Sequence, residues 1–343
     1  MVSDETQEAP QSSFLLPRIL LVDPQDPSPT ILREAATLLQ NGQLVAFPTE
    51  TVYGLGANAL DPPACRRIFA AKGRPSTNPL IVHVANSEAA KQIAHWTNEA
   101  DLLAAAFWPG PLTLVLKRKG TIPDVVTAGG DTVAIRIPDH PVALALLKAT
   151  GLPIAAPSAN RSNAVSPTRA AHVAQSLGDQ VDLILDGGPC QVGIESTVID
   201  LTCQPPQILR PGQLGPTDLE KTLGIRPRIS IPSQPHSIAR SPGQLARHYA
   251  PHTPIEVLGN LGEARSRQAQ LEAQNQKVLI VAGEPGPGLL NWGSRSADWA
   301  QNLYESFHRF DAEQWDRVIL VPPGQGEEWA GVLDRLTRAA KLP

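Results

Sequence analysis

Short apolar runs alternate with longer amphipathic stretches along most of this 343-residue chain. The first amphipathic stretch predicts a helix, with Ser28 as N-cap, Pro29 at the first helical position and Gly42 after its end. Strands are predicted at 44–47, 80–84, 112–116, 133–137, 154–156, 183–185 and 197–201, and further helices at 61–72, 88–106, 140–149 and 168–177. Strands interleaved with helices predict an α/β fold whose sheet is covered by helices.

The connections between some of these strands are short. Short connections suit antiparallel neighbours, so antiparallel pairing is left open for strands such as 183–185 and 197–201. We therefore expect a large domain with a twisted mixed sheet over residues 28–212. Residues 1–27 are polar and proline-dotted, which predicts a loose N-terminal extension.

The pattern changes after residue 212. Residues 213–254 are proline-rich and weakly periodic but carry aromatic and basic side chains, which predicts an ordered linker. Beyond it, apolar runs at 255–258, 277–281 and 317–321 alternate with helical patterns at 261–274, 296–309 and 326–340. This alternation predicts a small, doubly wound α/β domain at 255–343.

Composition narrows the class of protein. The chain is 42% hydrophobic and 18% charged with a formal net charge of -4, which is typical of a globular protein and not of a dedicated nucleic-acid binder. Cys65, Cys190 and Cys203 are too few and too scattered for a disulfide framework or a zinc site. The acidic N-terminus does not resemble a secretory signal, and no apolar run approaches the ~18–20 residues of a membrane span. We expect a cytoplasmic protein that is not membrane-bound.

Common nucleotide-binding signatures do not match. The sequence has no G-x-x-x-x-G-K-[ST], and the glycines at 54–59 only imitate a dinucleotide fingerprint, because no helix opens directly after them. The segment 47–56 instead places small polar groups and two glycines after a buried strand. Such a strand end is a natural ligand edge, although a glycine-stabilised loop explains it equally well.

Several cations and hydrogen-bonding groups occur at the ends of predicted elements. Lys72 and Arg74 flank Gly73 at a helix end, where they are either dipole complements or a phosphate-binding pair. Further hydroxyl and amide groups occur in the segments 154–160 and 193–198. A further cation is the isolated Arg210. Since no nucleophilic triad or paired carboxylates stand out, catalysis would depend on positioning and charge stabilisation, as nucleotidyl transfer requires.

Two polar residues interrupt apolar strands. Arg136 lies within 133–137, where alternation places it on the face opposite Ile135 and Ile137. A buried arginine needs an anion, which is either a structural carboxylate or a substrate carboxylate. His83 poses the same question, because a lone buried histidine is more often a structural residue than a ligand-binding one.

A set of motifs in order resembles the YrdC-like domain of L-threonylcarbamoyladenylate synthases. The motifs are PTETVYGLG, KGRP-x-x-NPL-x-VH, WPGPLTLVL, AIRIP, PSAN, SPT, GIESTVID and ILRPG, over about residues 28–212. The linker SPGQLARHYAP and the trailing α/β segment are similar to the long, two-domain members. The resemblance implies a nucleotidyltransferase that makes threonylcarbamoyl-AMP and pyrophosphate from L-threonine, bicarbonate and ATP with Mg²⁺, for modification of tRNA position 37.

The resemblance also implies roles for individual residues. Lys72 and Arg74 are implied as catalytic. ATP contacts are implied for Lys72, Arg74, Asn78, Thr132, Ser158, Asn160, Ser166 and Arg210, with Tyr249, next to His248, closing over the nucleotide. Threonine contacts are implied for Thr51, His83, Arg136 and Ser196, with Arg136 at the carboxylate. No residue is assigned to a metal. A separate transferase is expected to receive the product, so direct tRNA binding is not required.

One residue departs from the family pattern, and two alternative functions remain open. Asn163 replaces a glycine before the SPT motif, and Asn tolerates a positive φ better than most residues. Carbamoyl-phosphate handling is a rival, since hydrogenase-maturation carbamoyltransferases contain related domains; their acylphosphatase-like and zinc-finger segments are missing from this sequence. RNA binding is the second rival, and the lack of aromatic–basic interleaving near Lys72 and Arg74 counts against it.

Overall fold

The computed structural model describes residues 17–230 and 250–340. Its α-helices are α1 (Pro29–Gln40), α2 (Pro62–Lys72), α3 (Ser87–Ile93), α4 (Asn98–Phe107), α5 (Asp124–Thr127), α6 (Pro141–Thr150), α7 (Ala170–Leu177), α8 (Pro216–Leu223), α9 (Leu261–Glu272), α10 (Ser296–Glu313) and α11 (Ala330–Ala339). Its strands are β1 (Ile19–Leu21), β2 (Val45–Phe47), β3 (Gly54–Asn58), β4 (Ile81–His83), β5 (Leu112–Lys117), β6 (Thr132–Arg136), β7 (Ile154–Ala155), β8 (Leu183–Asp186), β9 (Thr197–Asp200), β10 (Gln207–Arg210), β11 (Arg228–Ile229), β12 (Ile255–Val257), β13 (Val278–Ala282), β14 (Leu289–Asn291) and β15 (Arg317–Val321).

The larger domain is built on a mixed sheet, as predicted. Its eleven described strands run in the order β1-β8-β2-β3-β7-β4-β6-β5-β9-β10-β11. Strand β8 is parallel to both of its neighbours, while β9 is parallel to β5 and antiparallel to β10. The strands at 183–185 and 197–201 therefore do not pair with each other, because they lie toward opposite ends of the sheet.

The prediction of a single helix at 88–106 is wrong, because the chain forms the two helices α3 and α4 there. Ala94 is extended and forms an isolated bridge with Arg118, which interrupts the helical hydrogen bonds. Thr97 then caps α4, and its side chain accepts a hydrogen bond from the backbone N–H of Ala100. A cap of this kind inside a periodic stretch marks a new helix start.

Several further elements lie where none was predicted, among them β1, α8 and β3. Strand β1 falls within the expected N-terminal extension and pairs with β8, and α8 falls within the expected linker. Strand β3 contains Gly56, where a Cβ atom would lie 2.9 Å from the Phe47 ring and 3.1 Å from the Val45 carbonyl oxygen. The glycine therefore permits close strand packing, although glycine is a poor strand former in isolation.

Alternation along the central strands separates two faces of the large sheet. Val82 and Ile135 belong to the helix-covered core, whereas Ile81 and Ala134 belong to a small cluster on the other face. His83 and Arg136 follow the second pattern, two residues after Ile81 and Ala134. The sheet thus presents both polar residues on its less apolar face.

The smaller domain has the predicted doubly wound form. Its four described strands are parallel in the order β12-β15-β13-β14. Ile280 and Ile319 pack with Ala264 of α9 on one face, while Leu320 packs with Trp299 of α10 on the other. Within the described ranges, no helix is long and apolar enough to cross a membrane.

Candidate active site

A cavity lies on the polar face of the large sheet. It holds about 510 Å³ of empty space, a volume that includes space open to solvent. Its described lining consists of Thr49, Thr51, Val52, Gly54, Arg74, Ile81, His83, Arg136, Ala156, Pro157, Ser158, Glu195, Ser196 and Arg210. Three arginines and one carboxylate among these residues favour an anionic ligand.

Arg136 is fixed by three partners at the cavity wall. Its Nη1 atom donates to Thr51 Oγ1 at 2.9 Å, and its Nε atom donates to the Gly110 carbonyl oxygen at 3.1 Å. Its Nη2 atom lies 2.5 Å from Glu50 Oε1 in an ion pair that is almost fully buried. The structural carboxylate considered as an alternative partner is therefore present as Glu50, and the guanidinium also lines the cavity.

His83 is paired in register with Arg136 across β4 and β6. Its side chain is buried, and the Phe47 ring lies edge-on to it with 6.2 Å between ring centroids. Burial first, and then the nearby positive charge of Arg136, lower the pKa of His83 to about 3. The imidazole is consequently neutral near pH 7 and can act through directed hydrogen bonds, not through charge.

Lys72 and Arg74 lie on either side of Gly73, which ends α2 in the left-handed conformation with φ 58°. Lys72 Nζ donates to the carbonyl oxygens of Ser158, at 2.6 Å, and Asn160. Arg74 Nη2 donates to the Pro79 carbonyl oxygen at 3.0 Å. Burial, with the adjacent charge of Arg74, holds the pKa of Lys72 well below its usual range. An anion bound here would relieve this repulsion.

A third group of polar residues completes the cavity wall. Arg210 Nη2 donates to Ser196 Oγ at 3.1 Å, and Ser196 Oγ lies 2.7 Å from Thr113 Oγ1. Ser166 Oγ donates to Glu195 Oε1 at 2.6 Å. Burial by itself would raise the pKa of Glu195, but the guanidinium groups of Arg335 and Arg210 overcome this effect and lower the pKa to about 2. Glu195 is therefore an anion at neutral pH.

Most of the predicted site residues come together around this cavity. Those in its described lining are Thr51, Arg74, His83, Arg136, Ser158, Ser196 and Arg210. Four more lie next to the lining and are hydrogen-bonded to a lining residue or to one of its neighbours: Lys72, Asn78, Asn160 and Ser166. Thr132 lies outside the described lining, at the start of β6 opposite Lys117. Tyr249 and His248 lie outside the described residues.

Two carboxylates near the cavity were not predicted as site residues. Glu50 and Glu195 both stand inside the motifs quoted above, and both are buried. Glu50 stands between two threonines after β2, and Glu195 precedes Ser196 just before β9. A charged residue beside a hydroxyl at a strand terminus was the signal available for each. In the described part of the chain, no three His, Cys, Asp or Glu side chains converge to form a metal site.

Fold and cavity together define a two-domain α/β protein with a cation-lined cavity suited to a small anionic ligand. The family model described as telomere recombination, for Sua5, YciO and YrdC proteins, matches residues 37–212. A second model, described as the C-terminal domain of threonylcarbamoyl-AMP synthase, matches residues 216–341. The chain belongs to the Sua5/YciO/YrdC family, in its two-domain form, as the motifs predicted.

Individual relatives agree with this assignment. The threonylcarbamoyl-AMP synthase of Pyrococcus abyssi is 43% identical over 90% of this chain and 94% of its own length. The enzyme of the same name from Bacillus subtilis is 40% identical over 90% and 92%. The crystal structure of P. abyssi Sua5 in complex with L-threonine is similar with a TM-score of 0.88 at 41% identity, covering 94% of this chain and 97% of that one.

Proposed function

We propose that this enzyme forms threonylcarbamoyl-AMP and pyrophosphate from L-threonine, bicarbonate and ATP, for the N6-threonylcarbamoyladenosine modification of tRNA position 37. The observation that carries the proposal is a single cavity lined by two sets of residues. One set surrounds the buried Arg136, and the other contains Arg74, Ser158 and Arg210. Such a cavity can bring an amino acid and a nucleotide into contact.

The first set is suited to threonine. Arg136 presents a rigid guanidinium to the substrate carboxylate, because Thr51 and Gly110 already fix its orientation. The neutral imidazole of His83 and the hydroxyl groups of Thr51 and Ser196 offer hydrogen bonds to the threonine hydroxyl and amine. The uncharged state of His83 leaves the substrate ammonium group without a cationic neighbour at that position.

The second set is suited to the phosphates of ATP. Lys72, Arg74 and Arg210 supply three cations, and Ser158, Asn160 and Ser166 supply neutral hydrogen-bonding groups. In the reaction, the threonine ammonium group first loses a proton to solvent. The neutral amine nitrogen then bonds to the bicarbonate carbon, and the C–OH bond breaks as the hydroxide leaves with an amine proton as water. The resulting carbamate oxygen attacks the α-phosphorus, and pyrophosphate leaves with the electron pair of the broken P–O bond. Lys72 and Arg74 offset the charge that develops on the phosphates.

Mg²⁺ is proposed to arrive with ATP. The carboxylate in the described cavity lining, Glu195, is already engaged by Ser166, Tyr304 and Arg335. The donors that remain nearby are hydroxyl and carbonyl groups, so the phosphate oxygens would provide most of the ligands. The metal would neutralise phosphate charge alongside the two cations of α2 and the loop after it.

The remaining partners of the reaction are also proposals. Tyr249 of the linker would close over the nucleotide, and a separate threonylcarbamoyl transferase would receive the product. Direct binding of tRNA is not needed for this step, and Thr132 is retained as a nucleotide contact from its motif position alone. A cytoplasmic location would give the enzyme access to its three substrates.

The test of this function is substrate-dependent release of pyrophosphate. With Mg²⁺ present, purified enzyme should release pyrophosphate from ATP only when L-threonine and bicarbonate are both supplied. Omitting either substrate serves as the control. Turnover without threonine, or turnover that requires carbamoyl phosphate in place of bicarbonate, would contradict the proposal and favour the carbamoyl-phosphate alternative.

A further inference from the structure

The two domains share a buried interface beside the cavity. Val52, Val165 and Ile194 of the large domain belong to the same apolar cluster as Trp299 and Phe307 of the C-terminal domain. The segment that contains Ile194 continues into Glu195 and Ser196, which line the cavity. The C-terminal domain therefore packs against the back of an active-site segment.

A polar cluster lies within this apolar interface. Arg335 Nε of α11 donates to Glu195 Oε2 at 3.0 Å, and the Tyr304 hydroxyl of α10 donates to the same oxygen at 3.0 Å. Arg335 also donates to the Pro211 carbonyl oxygen at 2.6 Å and lies 3.0 Å from Asp334. The arginine side chain has no exposed surface, so its position is tightly constrained.

The other face of the Glu195 carboxylate belongs to the large domain. Glu195 Oε1 accepts the 2.6 Å hydrogen bond of Ser166, a residue with no solvent exposure. The next residue, Ser196, accepts from Arg210 through both its carbonyl and its hydroxyl oxygen. Glu195 thus connects two residues of the C-terminal domain with two proposed ATP contacts.

We propose that Arg335 and Tyr304 are positioning residues for the ATP half of the active site, acting through Glu195 on Ser166 and Arg210. The inference rests on the proposed function, since that function defines the ATP half. A buried ion pair could instead serve only to dock the domains. The difference is that Glu195 lines the cavity and faces its cations, so its orientation changes the charge that ATP meets.

Arg335 and Tyr304 determine where the negative charge of Glu195 lies. Both side chains hold Oε2 toward the C-terminal domain. Without Arg335, the positive charge of Arg210 still acts on the buried carboxylate, and the carboxylate also acts on the charge of Lys72. A reoriented Glu195 would compete with the phosphates for these cations, which would weaken ATP binding more than threonine binding.

The experiment compares Arg335→Met, Arg335→Lys and Tyr304→Phe in the full chain, with KM measured separately for ATP and for threonine. Arg335→Met should raise the KM for ATP roughly tenfold or more, the loss expected when a charge-assisted hydrogen bond is removed. Arg335→Lys should recover part of the effect, and Tyr304→Phe should give a smaller rise. Arg267→Met is the matched control, because Arg267 pairs with Glu256 at 2.9 Å within the C-terminal domain.

A double variant separates positioning from docking. If Arg335 acts through the charge of Glu195, Glu195→Gln combined with Arg335→Met should have a lower KM for ATP than Arg335→Met alone. This double variant also avoids an unpaired buried charge, so it remains measurable if Arg335→Met fails to fold. Equal changes in both KM values, or a lower unfolding temperature with unchanged KM for ATP, would overturn the inference. Pyrophosphate release by the unmodified enzyme tests the proposed function separately.

Discussion

Glu50 and Arg136 form a buried ion pair, with Glu50 Oε1 2.5 Å from Arg136 Nη2. The charge of Arg136 is therefore compensated before any substrate binds. A substrate carboxylate would add a second anion to this guanidinium, so its binding energy must come mainly from directed hydrogen bonds. Removing Arg136 alone would destabilise the folded protein, because it would leave Glu50 as an unpaired charge in the interior.

Arg136 is predicted to act on threonine and not on ATP. Replacing it with Met in a Glu50→Gln background removes both charges, which avoids the cost of the orphaned carboxylate. The KM for threonine should rise about tenfold to a hundredfold, the range for losing one hydrogen bond to a charged group. The KM for ATP should stay within about twofold, far below the tenfold step that 1.4 kcal/mol produces. Steady-state kinetics with each substrate varied in turn measures both values, and Glu50→Gln alone is the control; equal losses would contradict the role.

ATP binding is predicted to be accompanied by proton uptake at Lys72. Burial and Arg74 lower the pKa of Lys72, whereas bound phosphates favour its charged form and raise the pKa again. At a pH between the pKa of Lys72 in the free enzyme and its pKa in the ATP complex, ATP binding must be accompanied by protonation of Lys72. Calorimetry at a series of pH values, in buffers of different ionisation enthalpy, measures the uptake. Lys72→Met should abolish this component while Lys117→Met, a change at an exposed lysine, should preserve it. Heats that are independent of buffer for the unmodified enzyme would rule the linkage out.

Sequence patterns predicted one part of this site and missed another for identifiable reasons. His83 and Arg136 were found because each interrupts an apolar strand, and the strand period places them on one face. Glu50 could not be identified as the partner of Arg136, because the two residues are 86 positions apart and no local pattern links them. Strand β3 was missed because its glycines serve the close approach to Phe47, which is a property of the packed sheet.

No local sequence pattern could predict the polar cluster in the interface between the two domains. Arg335 and Glu195 are separated by 140 residues and lie in different domains. In the sequence, Arg335 resembles an ordinary helix-surface arginine, since it is surrounded by the charged and polar residues Asp334, Thr337 and Arg338. Only the packing of α11 against the large domain buries it.

A stacked histidine pair at the interface predicts acid sensitivity. The rings of His172 and His308 lie 3.8 Å apart and nearly parallel. Burial, then the neighbouring His308, lowers the pKa of His172 from 6.5 to about 4, and burial also lowers the pKa of His308. The unfolded chain therefore binds more protons than the folded one below about pH 6.5, and stability must fall as the pH decreases toward 4. Glu305 and Asp311 lie close enough to oppose part of this shift.

The measurement is the free energy of unfolding by denaturant between pH 7 and pH 4. His308→Gln should reduce the loss, because the stacked partner can no longer become charged. Gln also retains a donor for the Ser166 carbonyl oxygen, which lies 3.2 Å from His308 Nε2. His252→Gln, at an exposed position just before the C-terminal domain, is the control and should leave the slope unchanged. Identical slopes for all three proteins would remove the pair as a cause.

Gly331→Ala is predicted to loosen the contact between the domains. Gly331 lies in α11, and a Cβ atom there would be 2.4 Å from the Gly212 carbonyl oxygen. Alanine favours the helix by about 1 kcal/mol, whereas overpacking against a backbone that cannot rotate away costs about 1 to 3 kcal/mol. The steric clash should therefore outweigh the helix preference of alanine, so the free energy of unfolding should decrease. Because Arg335 is one helical turn further along α11, the same displacement should raise the KM for ATP. Gly259→Ala is the control, since its nearest neighbour would be 3.8 Å away; a Gly331→Ala enzyme as stable as the unmodified chain would show that the interface yields without strain.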